Sequence, residues 1–536
     1  MEMPKAQPSP GEIKAMPLDD FAYKGDFPPA AFNMARYCLA AAGRVPERAG
    51  LIVVHDPDGK DVETWTYRAL EAAILRVACA LRDTAKLATG TRVAIRLRNR
   101  TSYALSFFGA IAGGLVPIPV SPDLTARELD FILDDSEASA IVLDDTLPHG
   151  ALPPGLAVIK ETTLQVAIES GRPGAFADTS ANDPAFLIYT SGTTATPKGV
   201  LHAHRSAWGR RPMYQGWYGI TAEDRLLHAG SFNWTYTLGT GLTDPWANAA
   251  SAIVYTGQKE PSLWPKLMKD QGVTIFAAVP GVYRQMLKYS ADGPLALPRL
   301  RHGLTAGEAL PNAVDAEWRE RTGTPLFEAL GQSEISTYIS SSPSVPRKPG
   351  AAGKPQPGRS IAIIGADTEM PLQSGEEGMI AVHRTDPGLM LGYWRRPAEE
   401  AEVMRGEWFA GGDAGVMDEE GYIVHLGRRN ELMNAGGFRV SPLEVEQELA
   451  KHPAVSEVAV SEVPLRDGVS IVAAFVVARP GATDGSIEAS LRSYAATTLA
   501  SYKCPKTYVI VETLPRTPNG KVKRAELKRL LSRETT

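Results

Sequence analysis

Residues 190–199 read Thr190-Ser191-Gly192-Thr193-Thr194-Ala195-Thr196-Pro197-Lys198-Gly199. Five hydroxyl side chains, two glycines and a lysine stand together here, directly after the apolar run 185–189. Glycine lets backbone N–H groups approach a polyanion, hydroxyls donate hydrogen bonds, and lysine supplies positive charge. That is the chemistry of a phosphate cradle. The common nucleotide loop places Gly-Lys directly before Ser or Thr, and this segment does not. A polar surface loop would share the composition, but the apolar strand in front favours the cradle, because ligand loops gather at strand ends. Glu334, Asp413 and Lys521 are charged residues beside glycines or turn formers. Each taken alone reads as a solvated acid, a turn residue or a solvated lysine.

A cradle needs a scaffold, and the flanking sequence predicts one. Residues 66–81 suit an amphipathic helix, with Leu70, Ala73, Ile74, Val77 and Leu81 at helical spacing. Strands are predicted at 92–97, 116–120, 185–189, 273–279, 324–330 and 360–364, and helices at 102–113, 280–289 and 311–322. Such alternation predicts an α/β fold: parallel-rich sheets covered by helices. Residues 343–357, rich in Pro, Gly, Ser and Lys, read as a surface loop. The composition shifts near Gly427. Helices at 442–451, 487–499 and 524–531 and strands at 455–460, 471–477 and 508–511 then predict a small α+β unit. The expected division is a large N-terminal domain, 1–429, and a small mobile C-terminal domain, 430–536.

Composition narrows the function classes. The 536 residues carry a net charge of -5 and no basic block, which argues against a nucleic-acid surface. Cys38, Cys79 and Cys504 form no close pair, so neither a disulfide framework nor a Cys-rich zinc site is expected. Residues 1–26 have no apolar signal core, and no apolar run is long enough to span a bilayer. The expected location is the cytoplasm.

The 189–199 segment resembles the phosphate loop of the superfamily of acyl-CoA synthetases, peptide-synthetase adenylation domains and luciferases. Its nearest likeness within that family is to acetyl-, medium-chain and benzoate-type CoA ligases. Ala195 departs from the family's usual glycine. Further motifs follow in the family's order along 32–531. Gly307-Glu308-Ala309 resembles the segment beside adenine. Gly331-Gln332-Ser333-Glu334 resembles Gly-x-Thr/Ser-Glu, and Leu330 stands where an aromatic residue often stacks on the base. Trp408-Phe409-Ala410-Gly411-Gly412-Asp413 and Gly427-Arg428 resemble the two ribose-binding motifs. Asn430 takes the hinge position, usually Asp or Lys. Gly436-Gly437-Phe438-Arg439 resembles the stretch that presents a face to pantetheine, and 515–521 the motif with the catalytic lysine.

The resemblance implies an ATP-dependent, AMP-forming carboxylic acid:CoA ligase that uses ATP, magnesium and coenzyme A. It assigns catalytic roles to Lys521, Glu334 and Ser333, with Glu334 as the magnesium ligand. ATP would lie against Thr190, Ser191, Gly192, Thr193, Thr194 and Lys198, then Gly307, Glu308 and Ala309. Leu330, Gly331 and Gln332 would flank it, with Asp413 and Arg428 on the ribose. Coenzyme A would meet Gly436, Gly437, Phe438 and Arg439 after rotation about Asn430.

The acyl pocket is assigned to Trp234, Thr235 and Tyr236, with Thr305, Ala306 and Gly331 opposite. Acetyl-CoA synthetases carry a bulky tryptophan at the position of Gly331, so glycine there implies an acid larger than acetate: medium-chain, branched or aromatic. No arginine stands out in these segments as a partner for a second carboxylate. Two protein partners are entertained: a second copy of the chain, and a protein lysine acetyltransferase acting on Lys521. Three rival functions share the nucleotide motifs: loading of a separate acyl carrier protein, oxidative luciferase chemistry, and non-catalytic nucleotide binding.

Overall fold

The computed structural model describes residues 22–529, apart from 191–196, 366–367, 429–432, 436–437, 467–468, 480–483, 502, 518–521, 525 and 528. Two parallel layers form the scaffold. A nine-stranded sheet runs in the order 354–355, 336–340, 326–332, 302–306, 275–278, 225–228, 251–255, 49–54 and 62–66. Its inner strands pair in parallel, and antiparallel strands close both edges. A second sheet, in the order 116–119, 92–96, 140–143 and 157–160, is wholly parallel. Parallel strands must be covered on both faces, and their sequences show it. Ile275–Ala278 and His302–Ala306 are buried throughout.

The helices stand where their spacing predicts. Tyr67–Cys79 is capped by the Thr66 hydroxyl, which accepts from the Ala69 N–H, and it buries Leu70, Ala73, Ile74 and Val77. That cap satisfies one of the free N–H groups of the first turn. Thr101–Ala112 is buried on almost every side, between the two parallel sheets' shared core residues. Pro280–Tyr289 starts on its proline, where no N–H is needed.

Pro184–Thr190 and Lys198–Ala203 form an antiparallel hairpin, extended by Gly392–Tyr393. A further antiparallel sheet, built from strands at 361–364, 377–383, 404–405, 408–409, 413–417 and 423–428, follows the parallel layers. Most of it escapes sequence reading because its strands are short. The 343–357 segment is not all surface loop. Residues 351–353 are buried, and Lys354–Pro355 joins the nine-stranded sheet as its edge. Gly353 makes this approach feasible: a Cβ there would sit 2.1 Å from the Ser340 carbonyl carbon.

From Met433 onward the described residues build a separate core. Met433, Val440, Val445, Leu449, Val460, Val476 and Leu491 pack together. Strands Val455–Arg466, Val469–Ala478 and Thr507–Ile510 form its sheet, and Pro442–Leu449 and Asp484–Thr498 its helices. The chain is thus a large α/β body followed by a small α+β unit, as its sequence predicts.

Candidate active site

The register of the Pro184–Thr190 hairpin pairs Thr190 with Lys198, and residues 191–196 between them are not among the described residues. Ser191, Gly192, Thr193 and Thr194 therefore lie outside the described residues. Lys198 at the hairpin's end contacts Glu399 at 2.7 Å and lies 4.9 Å from the centre of the Tyr393 ring. The Tyr393 hydroxyl donates to Glu334 Oε1 at 2.7 Å. One tyrosine thus ties the lysine of the phosphate loop to the carboxylate of the Gly-x-Ser-Glu segment. Neither Tyr393 nor Glu399 stands out in the sequence, because their roles depend on pairing across strands far apart in the chain.

Glu334 and Ser333 occupy the turn between Leu326–Gln332 and Ser336–Ser340. The Ser333 carbonyl accepts from His202 Nε2 at 2.8 Å, which anchors this turn to the hairpin. Gly331 has a backbone reason to be glycine. A Cβ there would lie 2.6 Å from the Ser336 carbonyl oxygen and 2.7 Å from Thr337 Cα. The facing strand fills the space assigned to an open pocket, which corrects the size argument drawn from Gly331. Leu330 packs partly buried against an aliphatic cluster that includes Ile335 and Ile339.

Asp413 and Arg428 face each other across neighbouring strands. Arg428 Nε contacts Asp413 Oδ1 at 3.0 Å and its Nη1 donates to the Gly411 carbonyl at 2.7 Å. His425 Nε2 lies 3.1 Å from the same Asp413 oxygen, and Gln332 Nε2 donates to the other. Gln332 therefore links the strand Leu326–Gln332 to Asp413. Its other amide atom has no partner among the described residues, and a Cβ on Gly411 would strike it at 1.8 Å. Below this corner, Glu328 is buried near Arg347. Burial outweighs the arginine and pushes its carboxyl up to about 7.

The segment assigned to the acid enters the core. Trp234 caps the short helix Thr235–Leu238, and its ring edge approaches Gly307, whose φ is +96°. Glycine takes that angle without strain. Tyr236 is buried, meets Trp234 edge-on at 5.5 Å and hydrogen-bonds the Leu304 carbonyl at 3.3 Å. Tyr236 and Ala306 share one core cluster, with Trp234 packed against it, while Thr305 is wholly buried. The assigned segments themselves carry no arginine, but one lies beside them. Arg210 reaches in from a neighbouring turn and is held by Asp244 at 2.8 and 2.6 Å, with Tyr218 donating to the same carboxylate at 2.6 Å. Asp244 holds the guanidinium firmly charged despite burial. Arg210 escaped sequence reading because it lies about twenty residues from the segment it packs against.

Lys521, Asn430, Gly436 and Gly437 fall outside the described residues. Phe438 and Arg439 are backbone partners of Ala435 and Asn434 in a short hairpin. Beside Lys521, Val522 bridges to Arg516, whose guanidinium lies 3.6 Å from Glu308 and 2.8 Å from Glu457. Glu457 also contacts Arg284 at 3.2 Å. The small unit is thus ion-paired through Arg516 to Glu308 of the large body. No cluster of three or more metal-ligating side chains occurs among the described residues. A single carboxylate still fits magnesium, which keeps most of its waters and takes its remaining ligands from phosphates.

The AMP-binding enzyme family matches residues 40–394, and the AMP-binding enzyme C-terminal domain matches residues 444–521. The chain belongs to the AMP-binding enzyme family. It is 31% identical to the benzoate–CoA ligase of Thauera aromatica over 87% of this chain and 91% of that one. It is 28% identical to an acyl-coenzyme A synthetase, ACSM3, of Rattus norvegicus over 88% of this chain and 85% of that one. A benzoate CoA ligase from Burkholderia xenovorans superposes with a TM-score of 0.81 at 26% identity, covering 93% of this chain and 100% of that one. This AMP-binding enzyme is an acid–CoA ligase that uses ATP, magnesium and coenzyme A. No helix among its described residues is long and apolar enough to cross a membrane.

Proposed function

We propose that this ligase activates an aromatic or medium-chain acid, larger than acetate, with the residues assigned above, Gly331 excepted, in their named roles. The observation that carries the size class is the apolar lining of a cavity between the 231–239 segment and the Ser333 turn, with Phe107, Phe186, Leu238 and Ile335 among its walls. Apolar walls of this kind reward hydrocarbon that acetate lacks. Relatives named as benzoate and hydroxybenzoate CoA ligases support the same class.

In the first half-reaction a carboxylate oxygen attacks the α-phosphorus of ATP and the bond to pyrophosphate breaks. Two anions meet, so positive charge must be waiting. Lys521 would bridge the attacking oxygen and the α-phosphate. Lys198 and the 190–197 loop would hold the leaving pyrophosphate, while Asp413 and Arg428 orient the ribose. Glu334 would hold magnesium, which supplies further neutralisation of phosphate charge. In the second half-reaction the thiol sulfur of coenzyme A attacks the acyl carbon and AMP departs. Rotation of 430–536 against 1–429 about Asn430 would withdraw Lys521 and bring up 436–439. The separate core that starts at Met433 supports that division. Acetylation of Lys521 by a protein acetyltransferase would remove its charge and stop the first step.

Pyrophosphate release from acetate, hexanoate, benzoate and palmitate, with and without coenzyme A, tests the size class. Turnover is expected to be fastest with benzoate or hexanoate. A preference for acetate or palmitate would overturn it.

A further inference from the structure

The cavity beside Thr235 and Ser333 has a polar side that a hydrocarbon acid does not use. His202 is 4% exposed and lines it, with its ring stacked on Phe186 at 4.7 Å. Because His202 Nε2 faces the Ser333 carbonyl at 2.8 Å, that nitrogen must carry the proton. Burial keeps the ring neutral, with its pKa down to about 4. Nδ1 is therefore a bare acceptor, and it has no partner among the described residues. A buried acceptor without a partner costs stability unless something supplies a proton to it.

Arg210 lines the same cavity. Its guanidinium donates to both Asp244 oxygens and to the Ser336 hydroxyl. A guanidinium has five N–H groups, so donors remain after these bonds. Asp244 cancels the charge, and the floor is polar but neutral. Two local features accommodate this floor. Gly239 leaves room for the guanidinium, since a Cβ there would sit 2.2 Å from Nη2. Ser336 holds a φ of +79°, a strained angle for a residue with a side chain, and its hydroxyl accepts from Arg210. Because Asp244 already pairs with Arg210, a second carboxylate entering the cavity would find no free counter-charge there.

We propose that this cavity receives a neutral hydrogen-bond-donating substituent of the acid, a hydroxyl or an uncharged amino group. His202 Nδ1 accepts its proton, and Arg210 donates to its lone pair. The preferred substrates are hydroxylated or aminated acids, ahead of the bare hydrocarbon acids of equal size. The inference rests on the assignment of the 231–239 segment to the acid site.

The test is kcat/KM for pyrophosphate release by the wild-type enzyme on matched pairs. Benzoate is compared with its three hydroxy- and three amino-derivatives, and hexanoate with its hydroxylated forms. At least one substituted acid in a set is expected to exceed its parent by about tenfold or more, since sites built around a polar group discriminate strongly against analogues lacking it. His202→Gln keeps an amide N–H near the Ser333 carbonyl and removes the acceptor at Nδ1. His202→Asn places an amide oxygen near Nδ1. The substituted-to-parent ratio is expected to collapse toward one in the Gln variant and recover in part in the Asn variant. A purely structural role for His202 would lower both acids equally and leave the ratio unchanged, which would overturn the proposal. Parents equal to or better than every substituted acid in the wild-type enzyme would overturn it without a variant, and would leave the size class standing. A preference for acetate would remove the size class and this proposal together.

Discussion

At the scale of single residues, the proposed roles divide the site into groups that would act on the phosphates and groups that would hold the nucleoside. Lys521→Ala is expected to slow acyl-adenylate formation by at least about 100-fold, the usual loss when a charge partner of the transition state is removed. Transfer to coenzyme A from a supplied acyl-adenylate should survive. Measuring the two half-reactions separately checks this, and equal losses would remove the role assigned to the lysine. Asp413 is a different case, since Gln332, His425 and Arg428 all point at it. Asp413→Asn keeps the shape and removes the charge that these donors and a ribose would share. A bond to a charged group is worth about 1.5–3 kcal/mol, so kcat/KM for ATP should fall roughly 10- to 100-fold. The order of preferred acids should not change, and a panel of acids run on the variant decides it.

At the scale of elements, the end of the strand Leu326–Gln332 and the turn to Ser336–Ser340 position five of the assigned residues, Leu330 to Glu334. Its geometry depends on backbone proximity. A methyl at 331 would fall 2.6 Å from the Ser336 carbonyl oxygen. Gly331→Ala should therefore lower the melting temperature, because overpacking of this kind costs about 1–3 kcal/mol. A melt equal to wild type would show that the strand yields freely. A tryptophan at 331 would combine the same clash with any filling of the pocket, so its effect on acid size could not be separated from its effect on folding. The matched acid pairs on the wild-type enzyme avoid that difficulty.

At the scale of the whole molecule, two bodies meet through a chain of charges: Arg284, Glu457, Arg516 and Glu308. These side chains are partly exposed, and such pairs contribute about 0.2–1 kcal/mol each. Glu457→Gln should weaken this contact and slow adenylation about two- to fivefold at low salt. Thioester formation from a supplied acyl-adenylate should be unaffected or faster. An unchanged ratio of the two rates would show that the contact does not bias the orientation. A second property belongs to the core as a whole. Burial lowers the pKa of His202, His204 and His302 to about 4 and of His228 to about 3. Each folded value lies below the unfolded value near 6.5, so the stability these rings contribute is complete above that pH and lost as pH falls toward 4. Thermal melts between pH 7 and 4 should show a steep decline that begins near 6.5. A flat profile over that range would mean that these rings gain protons as easily folded as unfolded.

The sequence by itself determined the α/β scaffold, the small C-terminal unit and the nucleotide motifs. Those features are local: a Thr66 cap, a helical stripe from Leu70 to Val77, a run of hydroxyls and glycines after a strand. Backbone periodicity and motif order are written along the chain and need no partner to be read. Tertiary structure alone decided what surrounds those motifs. Tyr393 joins Lys198 to Glu334, Gln332 reaches Asp413, and Arg210 lines the cavity beside Thr235 and Gly239 from outside the segments assigned to the acid. It also reversed the meaning of Gly331, from open space to a contact between strands. Each of these depends on distances between residues remote in sequence, which are set by how helices and sheets pack and leave no periodic trace in the chain.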